Sequence, residues 1–137
     1  MARLDKILLI LVSVCSLIFL ESCKDEIADP NTDPIVFPEN NISYSKHVQP
    51  LFQQRCALPA CHSGSNAARD LDLTTPSYSQ LLNHQPRLVT SNAAANSLLV
   101  QRLEGTIPPR MPLNSTSLNT NQLNGIKKWI QEGALNN

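Results

Sequence analysis

Cys56-Ala57-Leu58-Pro59-Ala60-Cys61-His62 places two thiols and an imidazole within seven residues, the second Cys directly before the His. A Cys pair ending in Cys-His is the arrangement that fixes a c-type haem. The thiols add across two vinyl groups, and the His behind the second thiol reaches the iron as proximal ligand. The usual gap between the cysteines is two residues; here it is four. Two haem-free chemistries use the same residues. Cys56 and Cys61 could close a disulfide in an exported binding module, or they could join His62 at a Zn or Cu ion, although no fourth converging ligand is evident.

Haem iron held by His on one side commonly takes Met on the other, a soft thioether that raises the reduction potential. After the initiator the only methionine is Met111, 49 residues beyond His62, in Ile107-Pro108-Pro109-Arg110-Met111-Pro112. The flanking prolines predict a rigid, extended loop against a cofactor face. Met111 as a core gap-filler is the structural alternative. His47 and His84 are the rivals for the sixth position. The first is expected on a helix flank away from Val48 and Leu51, the second in a loop, and both read more readily as surface histidines. With Met111 off the iron, the same domain would be a haem sensor or peroxidase-like module. Asp70 and Asp72 read as a solvated turn, and no acid/base pair or nucleophile constellation points to a free-standing enzyme.

The elements that must position these groups read as all-α, about four short helices joined by long loops, with no alternating strand pattern. Val48, Leu51, Phe52 and Cys56 share a helical face, which predicts a helix from about Ser45 to Arg55 with Pro50 in its first turn or at a kink. Thr75-Pro76 offers an N-cap and first-turn proline for a short helix through Leu82. A third helix spans Ser97 to Leu103 and ends at Gly105. The fourth is capped by Asn119, with Gln122 at the capping-box position, an apolar face of Leu123, Ile126, Trp129 and Ile130, and Gly133 as its stop.

The chain has 137 residues, enough for one domain. Residues 1–22 read as an export signal: Arg3 and Lys6 precede a largely apolar run, Ile7 to Leu20, which suits a signal peptide and is short for a bilayer span. Leu20-Glu21-Ser22-Cys23 resembles a bacterial lipobox, which makes Cys23 the lipidation site and anchors the protein by several acyl chains. Cys15 leaves with the signal, so Cys56 and Cys61 are the only cysteines of the folded domain. Residues 23–40 are Pro-rich and acidic, with five acids against one base from Lys24 to Glu39, and are expected to be a tether. Lys24-Asp25-Glu26 resembles the signal that sends some Gram-negative lipoproteins to the outer cell face. Residues 41–137 carry eight bases and four acids, a net charge of +4 too scattered for a nucleic-acid footprint. They hold only four aromatics, Tyr44, Phe52, Tyr78 and Trp129, and a buried porphyrin would supply the apolar centre such a small domain lacks.

Ser45-Lys46-His47-Val48-Gln49-Pro50-Leu51-Phe52, then Cys56 to His62 and Gly64, resembles the opening of a family of small bacterial cytochromes c, many of which share the four-residue gap. Leu71-Asp72-Leu73, Asn96-Ser97-Leu98-Leu99, Met111-Pro112 and Ile126 to Ala134 are similar to its later motifs, in the same order. The resemblance implies a cytochrome c-like fold with first and last helices crossing beside the haem and Trp129 near that crossing. It also implies one covalent haem c, with thioethers at Cys56 and Cys61 and axial ligands His62 and Met111. The expected function is one-electron transfer between unidentified redox protein partners, by a lipid-anchored protein of the outer membrane, on its periplasmic or cell-surface side.

Overall fold

Pro50 shapes the first helix before any tertiary contact does. The computed structural model describes residues 35–74 and 76–137; the signal segment, Cys23, the tether as far as residue 34 and the Thr75 cap lie outside the described residues. Lacking an N–H, Pro50 cannot complete the ordinary helical bond to the residue four back. The chain instead opens a wide turn over Tyr44–Val48, in which Gln49 N–H reaches Tyr44 O five residues back, and then tightens into α1 (Gln49–Arg55). Val48, Leu51 and Phe52 are buried on the face that the spacing predicts.

Three further helices follow: α2 (Tyr78–Asn83), α3 (Leu98–Glu104) and α4 (Thr120–Gln131). The described residues contain no strand, so the chain is all-α, with single 3₁₀ turns at Gly64–Asn66, Ala68–Asp70 and Ala94–Asn96. α2 begins later than Thr75-Pro76 suggests. Ser77 holds the cap position but makes no side-chain cap bond, because its hydroxyl is drawn into the core. There Gln49 Oε1 accepts from Ser77 N–H (3.1 Å), Ser77 Oγ (2.8 Å) and Tyr44 OH (2.9 Å), while Gln49 Nε2 donates to Leu73 O (3.0 Å). A buried amide satisfied on both ends costs little, whereas an unpaired one would cost about 1–3 kcal/mol.

α3 starts at Ser97, whose Oγ accepts from Thr90 N–H (2.9 Å) and donates to Ala93 O (3.0 Å), and it ends at Gly105 in the left-handed region. α4 carries both bonds of the expected capping box: Gln122 N–H to Asn119 Oδ1 (2.9 Å) and Asn119 N–H to Gln122 Oε1 (3.2 Å). Its far end closes by Gly133 N–H to Ile130 O (3.1 Å) and Ala134 N–H to Trp129 O (2.9 Å), the paired bonds that follow a left-handed residue.

α4 anchors both ends of the folded unit. Trp129 is fully buried, its Nε1–H donates to Leu135 O (2.9 Å), and its ring lies 5.4 Å from that of Tyr44. Tyr78 meets both rings nearly edge-on, at 5.2 and 6.4 Å. The Glu132 carboxylate accepts from the amides of Asn41 and Ile42, and Asn137 accepts from those of Tyr44 and Ser45. The start of the first helix and the end of the last are therefore joined by rings and by backbone bonds.

Residues 35–40, expected in the tether, belong instead to this folded unit. Phe37 is buried, and Asn121 brackets its backbone, accepting from Phe37 N–H (2.8 Å) and donating to Phe37 O (2.9 Å). The Phe37 ring fills a notch left by Gly125: a Cβ there would fall 2.1 Å from Phe37 Cγ. Pro and acid content mark this stretch as unfolded, but one aromatic with a matching notch outweighs them. No helix among the described residues is long and apolar enough to cross a membrane.

The notch makes a pairwise expectation. Gly125→Ala should destabilise by the ~1–3 kcal/mol of overpacking, while the same change in a Phe37→Ala background should cost far less. Urea unfolding of the four proteins checks it, and additive effects would refute the notch.

Candidate functional site

The site begins where α1 runs out. Cys56 N–H and Ala57 N–H both donate to Phe52 O (2.8 and 2.7 Å), so Cys56 closes the last turn and stays beside the core face. The two extra residues of the wide gap are absorbed outside the helix. Leu58, Pro59 and Ala60 form an exposed turn with Cys61 N–H on Leu58 O (3.0 Å), and His62 N–H returns to Cys56 O (3.1 Å). Leu73 N–H on His62 O (3.0 Å) then ties this loop to the strand-like passage after it.

Beside α1 lies a cavity of about 580 Å³, within the ~300–1,000 Å³ of ligand and cofactor sites. Phe52, Leu71, Leu73, Leu88, Leu99 and Leu103 make much of its wall. Cys56, His62 and Met111 also line it, so three of the four expected haem residues share one cavity. Cys61 does not line it; it stays exposed on the Leu58–Cys61 turn, and both thiols are free.

His62 is held in one tautomer. Its Nδ1 lies 3.2 Å from Leu71 O, which can only accept, so Nδ1 carries the proton and Nε2 presents its lone pair. That is the usual preparation of a metal-ligating imidazole. Met111 is half-buried and anchored through its own N–H to Arg102 O (2.8 Å). Its loop is a series of bends at Thr106–Pro109 and Met111–Pro112, not the extended run that its prolines suggest.

The rival histidines part company. His47 is away from the cavity; its Nδ1 accepts from Ser43 N–H (3.1 Å) and its ring lies 5.8 Å from that of Phe37. His84 lines the cavity, closer to the site than a loop position suggests, but both its nitrogens face carbonyl oxygens, Nε2 that of Arg69 (2.9 Å) and Nδ1 that of Pro86 (3.3 Å). Asp72 serves its own turn: Thr74 Oγ1 and N–H both donate to Oδ1 (2.6 and 2.9 Å), which holds the carboxyl below its ordinary range.

Two wall residues went unnoticed in the sequence, Arg69 and Arg102. Arg102 was legible in principle, since it continues the cavity-facing row of α3 with Leu98, Leu99 and Leu103. Arg69 was not, because it reaches the wall from a left-handed backbone (φ 61°) that no local pattern announces.

Burial pushes the Cys56 thiol up to about 12, with Arg55 pulling slightly the other way. A protonated thiol is a poor nucleophile, so at neutral pH Cys56 behaves as a small apolar wall residue. Among the described residues no three His, Cys, Asp or Glu side chains gather as a bare metal ion would need. Cys56, His62 and Met111 instead share the wall of one largely apolar cavity. Compared with protein-family models, curated proteins and solved structures, the chain matches none.

In the chain free of haem, Cys61 should alkylate with iodoacetamide at pH 7.5 well before Cys56, as read by peptide mass spectrometry; equal rates would refute the burial difference. The raised Cys56 pKa also sets a pH dependence. Its stabilisation is complete below the ordinary thiol pKa of about 8.5 and is lost as pH rises towards about 12. Urea midpoints should therefore fall between pH 8.5 and 10, and Cys56→Ala should flatten that fall.

Proposed function

We propose that this protein is a monohaem c-type cytochrome, a one-electron carrier with the cytochrome c-like fold that the sequence motifs imply. The observation that carries the reading is the meeting of Cys56 and His62 with Met111, 49 residues further along the chain, on the wall of one largely apolar cavity. When bound, haem supplies a ferric–ferrous couple.

The chain's own groups divide the remaining work. Cys56 and Cys61 would hold the haem covalently, as thioethers to its two vinyl groups. Cys56 is already on the wall. Cys61 must move inward, and the exposed Leu58–Ala60 turn that carries it has no buried side chain to resist this. His62 offers Nε2 while Leu71 O holds its other nitrogen. Met111 is favoured over His84 as the second ligand, because its thioether makes no hydrogen bond whereas His84 Nε2 lies 2.9 Å from Arg69 O. The leucine wall excludes water and keeps the local dielectric low. Were His62 and Met111 both to hold the iron, no position would remain there for a substrate, which favours electron transfer over catalysis. Cys23 lipidation would hold the carrier at a membrane within reach of redox protein partners.

Protein exported with a haem-attachment system should give a peroxidase-stained band on a denaturing gel that vanishes in Cys56→Ala/Cys61→Ala. No band would overturn the reading and leave the disulfide-bonded binding module. Met111→Ala should make the ferrous protein bind carbon monoxide rapidly while the wild type resists it. Rapid binding by wild type would instead identify a haem sensor.

A further inference from the structure

We propose that Arg55 is a positioning residue for Met111: it clasps the loop that follows Met111 to the end of α1, and so keeps the thioether on the cavity wall with Cys56 and His62; this rests on the cytochrome reading above. Arg55 does not itself line the cavity. It is the half-buried last residue of α1, directly before Cys56. Its Nη2 donates to both Thr116 O (2.9 Å) and Thr116 Oγ1 (3.0 Å), 61 residues along the chain. Among the described residues the ion pairs are Lys127–Glu104 and Lys128–Glu132, so the Arg55 guanidinium is committed to the loop and not to a counterion.

The loop is fastened differently on its two sides. Up to Met111 it hangs from α3: Ile107 N–H donates to Gln101 O (3.3 Å), Arg102 Nη1 to the carbonyls of Pro108 and Pro109, and Met111 N–H to Arg102 O (2.8 Å). Beyond Met111, Leu113 to Ser117 are all exposed, so packing does not hold them, and Leu118 is the next buried side chain. Arg110 closes this stretch on itself, through Nη1 to Ser117 Oγ and Nη2 to Ser115 O (3.5 Å). Arg55 supplies its bond to α1. A thioether carried on an unfastened loop would lose the loop's conformational entropy on ligation, and a clasp made beforehand removes that loss. Arginine suits the task. Two hydrogens of one terminal nitrogen reach two acceptors of one residue, and the guanidinium keeps its charge at any working pH.

The test uses the full chain exported with a haem-attachment system, in its ferric form, titrated with imidazole and followed by absorbance. Imidazole should bind Arg55→Leu at least about tenfold more tightly than the wild type, roughly the worth of one hydrogen bond from a charged donor. Arg55→Lys, which keeps a charged donor, should recover part of the difference, and Thr116→Val, which loses one acceptor, should fall between. In a Met111→Ala background Arg55→Leu should change nothing, because the clasp acts through Met111. An effect that persists there marks a general structural role and overturns the proposal. Equal imidazole affinity in the wild type and Arg55→Leu also overturns it while leaving the cytochrome reading intact. Circular dichroism and the haem stain check that each variant folds and carries haem; should Arg55→Leu fail either, Thr116→Val against the wild type decides by the same criterion. A wild type without covalent haem overturns the cytochrome reading, and the clasp with it.

Discussion

The packing of Tyr44 against Trp129 is the contact on which the rest of this small domain depends. It joins the leading turn of the first helix to the last turn of α4, and it sits among the few large side chains available. Around it the Gln49–Ser77–Tyr44 hydrogen bonds lock α2 to α1, and the Glu132 and Asn137 bonds fasten the segment before the first helix. Because this end is so firmly joined, α1 can project its other end, Phe52 and Cys56, into the wall of a cavity that the protein's own side chains leave open. The division follows from scarcity. A domain of about a hundred residues cannot fill both places with so few aromatics.

The wide gap between the cysteines becomes intelligible in this light. A helix that must end at Cys56 to leave room for the cavity cannot also carry Cys61 on its next turn. The intervening residues loop outward as an exposed turn, and the chain re-enters at His62, whose carbonyl and ring are each fixed by the Leu71–Leu73 passage. Precision is spent on the imidazole, which must present one particular nitrogen. The second thiol is left on a turn with little packed around it. On the proposed cytochrome reading, this partition sets a fixed ligand beside an adaptable attachment point.

The charges follow the same geometry. Among the described residues two lysines on α4 have acidic partners, and the two arginines of the cavity wall have none. Summed over the domain this is only a modest positive charge, as the scatter of bases along the chain implies. Placed in the fold, the unpaired cations of the wall stand beside the apolar cavity.

Much of the all-α architecture was legible in the sequence, because its signals are local. The Asn119–Gln122 capping box, the Gly105 and Gly133 stops and the Val48–Leu51–Phe52 face each act within one or two helical turns, where spacing alone sets which atoms meet. The Cys56–His62 motif and the lone Met111 were equally visible as chemistry. What only the tertiary structure decided were the contacts between residues far apart in sequence. Phe37 was read as tether because nothing near it reveals the Gly125 notch 88 positions on. Ser77, not the expected Thr75, stands at the start of α2, and its hydroxyl is taken up by a buried Gln49 that no periodicity marks. His84 and Arg69 reached the cavity wall through backbone turns, and Cys61 was left off it. Local sequence sets what a segment can form, but which surfaces are already occupied when it arrives sets where its side chains end.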